Sequence, residues 1–246
     1  MSVQVSLLSL PCAGASATMY LRWRSRLPAW LRLVPVELPG RGARMGESLL
    51  HDADQLVELL CSEHAGVLQG PYALFGHSMG GLLAHAMAAR WQARGQPAPL
   101  AVFVSACPAP TRRERERFAG SGDEAWLIAD LLKQGGTPTE VLENPELRRI
   151  VLGVLAADYQ VCESACDWPM QAPLRAPLVV LGGLEDDIAA ERLEAWRCET
   201  THCLALHWFS GGHFFLRPHE CEVLALIERQ LAMRNHEGRY AGLAFA

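Results

Sequence analysis

The chain has no apolar run approaching the roughly 20 residues of a membrane-spanning helix. It has no excess of positive charge: 22 Lys and Arg stand against 27 Asp and Glu, a net charge of −5. That argues against a nucleic-acid partner, which would call for a basic stripe. Its first ten residues lack a basic segment ahead of an apolar one. Val3, Val5 and Leu7 alternate there with Gln4 and Ser6, the period of a strand and not of a secretory leader. A cytoplasmic location is expected. The dense cysteine framework of a small disulfide domain is also missing. Eight cysteines are scattered over 246 residues, and most are expected to be reduced and buried. Their densest group, Cys198, His202, Cys203 and His207, fits no zinc spacing well. A helix-to-strand connection is the preferred reading there, and no metal is expected.

What is present suits one α/β domain over residues 1–246, because half the residues are hydrophobic and 20% are charged. Strand-like runs lie near Val3–Leu10, Leu33–Leu38, Tyr72–Phe75, Leu100–Ser105, Leu178–Leu181 and Leu204–Phe209. Helix-like stretches lie near Thr18–Leu27, Asp54–Val67, Met79–Arg94, Glu191–Arg197 and Glu220–Met233. Such alternation predicts a mostly parallel central sheet with helices on both faces. The tail from Asn235 lacks periodicity and reads as a frayed end. From about 111 to 170 no strand pattern appears. Asp123, and Asn144 with Pro145, read instead as helix starts. A helical insertion in this place would cover the carboxyl ends of the strands, where open α/β sheets bind ligands. It is expected to act as a lid.

Gly76-His77-Ser78-Met79-Gly80 matches G-x-S-x-G between the strand-like Tyr72–Phe75 and a helix-like run from Gly81. In that context the pattern is a nucleophile elbow. A sharp turn strains the serine, the glycines avoid clashes, and the hydroxyl projects near a helix N-terminus. Ser78 is thus the expected nucleophile, and the Met79 N–H one donor to an oxyanion. His77 should point away from its neighbour's hydroxyl, as a packing or hydrogen-bonding residue. A serine needs a base. Of nine histidines, His213 sits in a loop after the last strand-like run, following Gly211-Gly212, where an imidazole can reach across the sheet. The orienting acid should follow a strand between serine and histidine, since this fold runs Ser, Asp, His. After Leu178–Leu181 come Glu185, Asp186 and Asp187. Asp186 is preferred, with Asp187 and then Glu185 left as alternatives.

Taken together, Leu10–Ser16, Glu37-Leu38-Pro39-Gly40-Arg41-Gly42, Gly76–Gly81, Leu181–Gly183 with Asp186, and Gly212-His213-Phe214-Phe215-Leu216 resemble one family across nearly the whole chain. It is the type II thioesterases that serve nonribosomal peptide and polyketide synthases, in the α/β-hydrolase superfamily. The resemblance implies hydrolytic release of stalled or mis-primed acyl groups from the phosphopantetheine arm of acyl or peptidyl carrier proteins. It also implies that the Ala13 N–H joins that of Met79 in the oxyanion hole. No cofactor of the protein's own is implied, because the phosphopantetheine arrives with the partner, and a monomer is expected. The run Arg112-Arg113-Glu114-Arg115-Glu116-Arg117 could dock an acidic carrier; a solvated helix with i,i+3 and i,i+4 ion pairs is preferred. A small-molecule carboxylesterase or an acyltransferase would use the same triad. A non-catalytic binding module is the remaining alternative.

Overall fold

The computed structural model describes residues 4–243, with side chains described through residue 234. Six strands, β1 (Val5–Leu10), β2 (Leu31–Pro35), β3 (Tyr72–His77), β4 (Val102–Ser105), β5 (Leu178–Gly183) and β6 (Leu204–Phe209), form one sheet. Its order is β2-β1-β3-β4-β5-β6, and every adjacent pair is parallel. The inner strands are buried on both faces, which is why they read as continuous apolar runs. Alternate residues serve opposite layers. Leu8, Leu74, Val104 and Val180 join one core with helices α1 (Ala53–Glu63) and α2 (Met79–Ala93). Leu7, Phe75, Phe103 and Val179 join the other, with Tyr20, Trp23 and the Val223, Ile227 and Leu231 stripe of helix α7 (Glu220–Leu243). Register places His77 beside Ser105, Ser105 beside Leu181, and Gly183 beside Phe209. The carboxyl ends of four strands therefore form one row, and the loops leaving them meet.

Between β4 and β5 the chain is helical. It makes 3-10 turns at Pro110–Arg112 and Arg115–Phe118, helices α3 (Glu124–Gln134), α4 (Thr139–Glu143) and α5 (Pro145–Ser164), and a last turn at Ala165–Asp167. Asp123 caps α3 by accepting from the Trp126 N–H at 2.7 Å. Asn144 caps α5 by accepting from Glu146 and Leu147, with Pro145 at its first position. Leu127, Leu131, Leu142, Leu152, Leu155 and Tyr159 make a small core of their own. The far end of α5 instead enters the main core through Val161 and Cys162. Helix α6 (Ala190–Glu194) follows β5.

Several sequence expectations are corrected. The second strand is Leu31–Pro35, not Leu33–Leu38. Pro35 has no N–H for the ladder, and the chain then leaves the sheet toward Pro39-Gly40-Arg41. Val3 lies outside the described residues. The first helical stretch is a 3-10 segment, Ala17–Ser25, and α1 stops at Glu63, followed by a 3-10 turn over Ala65–Gln69. Helix α7 has the bounds Glu220–Leu243, and the expectation of a frayed end from Asn235 falls outside the residues whose side chains are described. Half rather than most of the cysteines are buried; all eight are free, and Cys198, Cys203 and Cys221 are exposed. Among the described residues, no group of three or more His, Cys, Asp or Glu could hold a metal ion, and no helix is long and apolar enough to cross a membrane.

The arginine run is not a solvated helix with local pairs. It forms two short 3-10 turns whose charges reach distant partners. Arg115 pairs with Glu163 and Asp167, Arg117 with Asp130, and Glu114 with Arg192. Helix spacing matters little once tertiary neighbours supply the carboxylates.

Candidate active site

Strand β3 runs directly into Ser78, whose backbone sits at φ 54, ψ −120. Ser78 and Ala106 are the two non-glycine residues with positive φ among the described residues. Such a conformation costs on the order of 1–3 kcal/mol and persists only where the surroundings enforce it. Here they do. The Ser78 N–H donates to the Ser105 carbonyl at 2.7 Å. A Cβ on Gly76 would collide with the Gly80 carbonyl, and one on Gly80 with the Leu10 carbonyl. Helix α2 starts at Met79, so its first N–H groups lack helical partners.

The loops after β5 and β6 are laced together. Leu184 N–H donates to the Phe209 carbonyl at 2.9 Å and Glu185 N–H to that of Gly211 at 3.1 Å. Phe215 stacks on Phe209 with ring centroids 5.2 Å apart and anchors the loop that presents His213. The Asp186 carboxylate meets His213 Nδ1 at 3.0 and 3.2 Å, with the two side chains 4% and 14% exposed. Asp187 turns outward and pairs with Lys133 at 2.6 Å, and Glu185 is exposed. With Nδ1 engaged by Asp186, Nε2 is the ring nitrogen left for other work.

A cavity of about 470 Å³ lies over this row of strand ends, lined by Ser78, Asp186, His213, Met79 and Ala13 and roofed by Leu131 and Leu155 of the helical segment. That volume falls in the range of small-molecule sites. The sequence-predicted site residues thus come together around one space. No hydrogen bond joins Ser78 Oγ to His213 in it; ligand-free sites are commonly looser than the reacting complex. The Met79 and Ala13 N–H groups have no acceptor among the described residues. Cys12 also lines the cavity, but burial pushes its thiol up to about 12, so it holds its proton.

Two contributors were not singled out for any such role from sequence. Asp158 on α5 accepts from the Gly14 N–H at 2.8 Å, and Arg41 donates to it through both terminal nitrogens, one at 2.7 Å. The two side chains are 1% and 6% exposed. Burial pushes the Asp158 carboxyl up, and Arg41 and the Gly14 N–H pull it back down. This pair fixes the loop bearing Ala13 against the helical roof. The available signal was a lone acid among Leu155, Val161 and Cys162 on an apolar helix face, since unpaired carboxylates are almost never fully buried. Beneath the elbow, His77 Nδ1 and Ser105 Oγ lie 2.9 Å apart, both fully buried. Burial, followed by the nearby His213 charge, holds the His77 imidazole well below its ordinary value. His77 is thus the packing and hydrogen-bonding residue expected.

Comparison with known proteins extends the agreement over the whole chain. The thioesterase domain model matches residues 6–231. Thioesterase TesA of Mycobacterium marinum is 34% identical over 91% of this chain and 89% of its own. Linear gramicidin dehydrogenase LgrE of Brevibacillus parabrevis is 32% identical over 93% of this chain and 88% of its own. The solved structure of the type II thioesterase BorB, from the borrelidin biosynthetic cluster, superposes with a TM-score of 0.84 at 33% identity, covering 94% of each chain. With a family model spanning nearly its full length, and a sheet and elbow of the same architecture, the chain belongs to the thioesterase domain family as a type II thioesterase of nonribosomal peptide and polyketide clusters, a serine hydrolase acting on thioesters.

Proposed function

We propose that the protein releases acyl groups from the phosphopantetheine arm of acyl or peptidyl carrier proteins, with Ser78 as nucleophile, His213 as base and Asp186 as the acid that orients it. The observation that carries this reading is the 3.0 Å contact of Asp186 with His213 Nδ1 in the same cavity as the strained Ser78. His213 Nε2 takes the proton as Ser78 Oγ attacks the thioester carbonyl. The N–H groups of Met79 and Ala13 donate to the oxygen that gains charge. The tetrahedral adduct collapses, and the pantetheine thiol leaves with the proton from His213. Water then attacks the acyl-serine by the same base and frees the acid. No metal or redox step enters this sequence. The helical segment 111–170 acts as a lid whose apolar lining takes the acyl chain. The protein works as a cytoplasmic monomer, and the carrier is the partner that brings the cofactor arm.

A dehydrogenase reading rests on the name of one relative. This chain has no G-x-G-x-x-G turn after any of its strands, while the β3–Ser78–α2 turn is built for a serine. The deciding assay is single-turnover release from a set of acyl-phosphopantetheinyl carriers. Wild type should release acid, and Ser78→Ala should lose roughly three or more orders of magnitude. Faster turnover of a simple ester than of the carrier-bound thioester of the same acyl group would favour a small-molecule esterase. No fluorophosphonate labelling of the folded protein would favour a binding module.

A further inference from the structure

Five cationic side chains line the cavity: Arg113, Arg117, Lys133, Arg192 and Arg217. Four have partners. Arg117 faces Asp130 at 2.8 Å, Lys133 faces Asp187 at 2.6 Å, and Arg192 faces Glu114 at 3.2 Å. Arg217 donates to the Gly136 carbonyl at 2.8 Å and lies over the Phe214 ring. Arg113 differs. Its Nη2 is buried and has no hydrogen-bond partner, and among the described residues it has no ion pair. Its guanidinium lies 5.8 Å from the Trp168 ring and beside the Cys107 thiol, a weak acceptor. The nearby thiols cannot balance it, because burial holds Cys107 up at about 11 and pushes Cys162 higher still. A guanidinium stays charged at any working pH and presents its donors in a fork that matches a carboxylate. A buried charge without a counter-ion is unfavourable; the acids of the cavity wall, Glu114, Asp186 and Asp187, are committed to Arg192, His213 and Lys133, and Glu199, whose carboxyl burial pushes up and Arg113 pulls down, makes no ion pair with it.

We propose that Arg113 is a specificity-determining residue that recognises acyl groups carrying a second carboxylate, so that the protein prefers the monothioesters of dicarboxylic acids over alkyl acyl groups of the same length. The inference rests on the thioesterase reading above and adds the substrate class. In it, the ligand supplies the counter-charge that the fold withholds. The carboxylate accepts from Arg113 while the thioester carbonyl sits at Ser78, and the apolar walls hold the chain between them.

The test compares pantetheine monothioesters of succinic, glutaric and adipic acid with those of butyric, valeric and hexanoic acid, in wild type and Arg113→Met. Wild type should favour the dicarboxylic member at one chain length or more. In Arg113→Met that preference should fall by at least about tenfold, with turnover of the alkyl partner held or raised. A wild-type preference for alkyl groups at every length, or an equal fall for both series, overturns the proposal. Should Arg113→Met fail to fold, inhibition of wild type by the free acids decides. Dicarboxylates should inhibit about tenfold more tightly than alkanoates of equal length, and equal inhibition counts against the idea. Release of neither series, with Ser78 unreactive to fluorophosphonate, would mark failure of the thioesterase reading itself.

Discussion

Ser105 and His77 form a hydrogen-bonded pair 2.9 Å apart, whereas Ser78 and His213 share a cavity with no bond between them. By the hydrogen bond alone, the first pair would look the better nucleophile and base. Yet both of its members are fully buried, no carboxylate sits on the imidazole, and His77 Nε2 has no partner. Ser78 has space before it and unpaired N–H groups beside it, and its histidine is held by Asp186. Under the proposed assignment, access and waiting donors decide reactivity at this row of strand ends more than a serine–histidine contact does. The sealed pair has another use: Ser105 holds the Ser78 N–H through its carbonyl, while its hydroxyl fixes His77 under the His213 loop.

The contrast can be broken most decisively with a fluorophosphonate probe and paired alanine variants. Ser78→Ala should abolish labelling, while Ser105→Ala keeps it; labelling lost in the second and kept in the first would reverse the assignment. Next in size is the acid. Asp186→Asn should lower kcat by roughly tenfold to a thousandfold, because the imidazole loses its orienting acceptor. Asp187→Asn, at an exposed pair, should stay within about twofold; steady-state kinetics on one acyl thioester separates them.

Arg41→Met extends the comparison to the donor side. It strands the buried Asp158 charge, costing on the order of 3–5 kcal/mol, or a fall in Tm of roughly 10 °C for a chain of this size. Calorimetry should show it, and Arg41→Met with Asp158→Leu should recover part of the loss. A kcat unchanged in the folded fraction would mean that the Gly14 anchor does not position the donors. Ser105→Ala should cost roughly 1–3 kcal/mol of stability from the unpaired His77 and change kcat/KM by no more than about threefold. The smallest effect is in pH. His77 binds its proton less readily folded than unfolded, so its contribution to stability is complete above the unfolded value of about 6.5 and is lost as pH falls below it. Urea unfolding at pH 7.5 and 5 should show a smaller acid-side loss in His77→Gln than in wild type. An equal loss would place the proton uptake elsewhere.

Much of the site was legible because its parts are local. A strand that ends in Gly-x-Ser-x-Gly and opens a helix has few other conformations available. Gly211-Gly212 before His213 marks a turn after a strand in the same way. The choice among Glu185, Asp186 and Asp187 was less legible: three adjacent carboxylates look alike in sequence, and the lacing of two loops turns one of them inward. The arginine run was misjudged for a related reason, since its partners Asp130, Glu163, Asp167 and Arg192 lie on other elements.

The amino-acid order by itself determined the parallel sheet, the helical interruption between β4 and β5, and the succession of serine, acid and histidine, because periodicity, turn residues and caps act over a few neighbours. Tertiary structure alone decided that Asp158 reaches Arg41 and Gly14, that Ser105 is sealed while Ser78 is open, and that Arg113 makes no ion pair among the described residues. These are properties of burial and of pairing across distant segments. They depend on which surfaces exclude water once the layers close, and no short stretch of sequence records that.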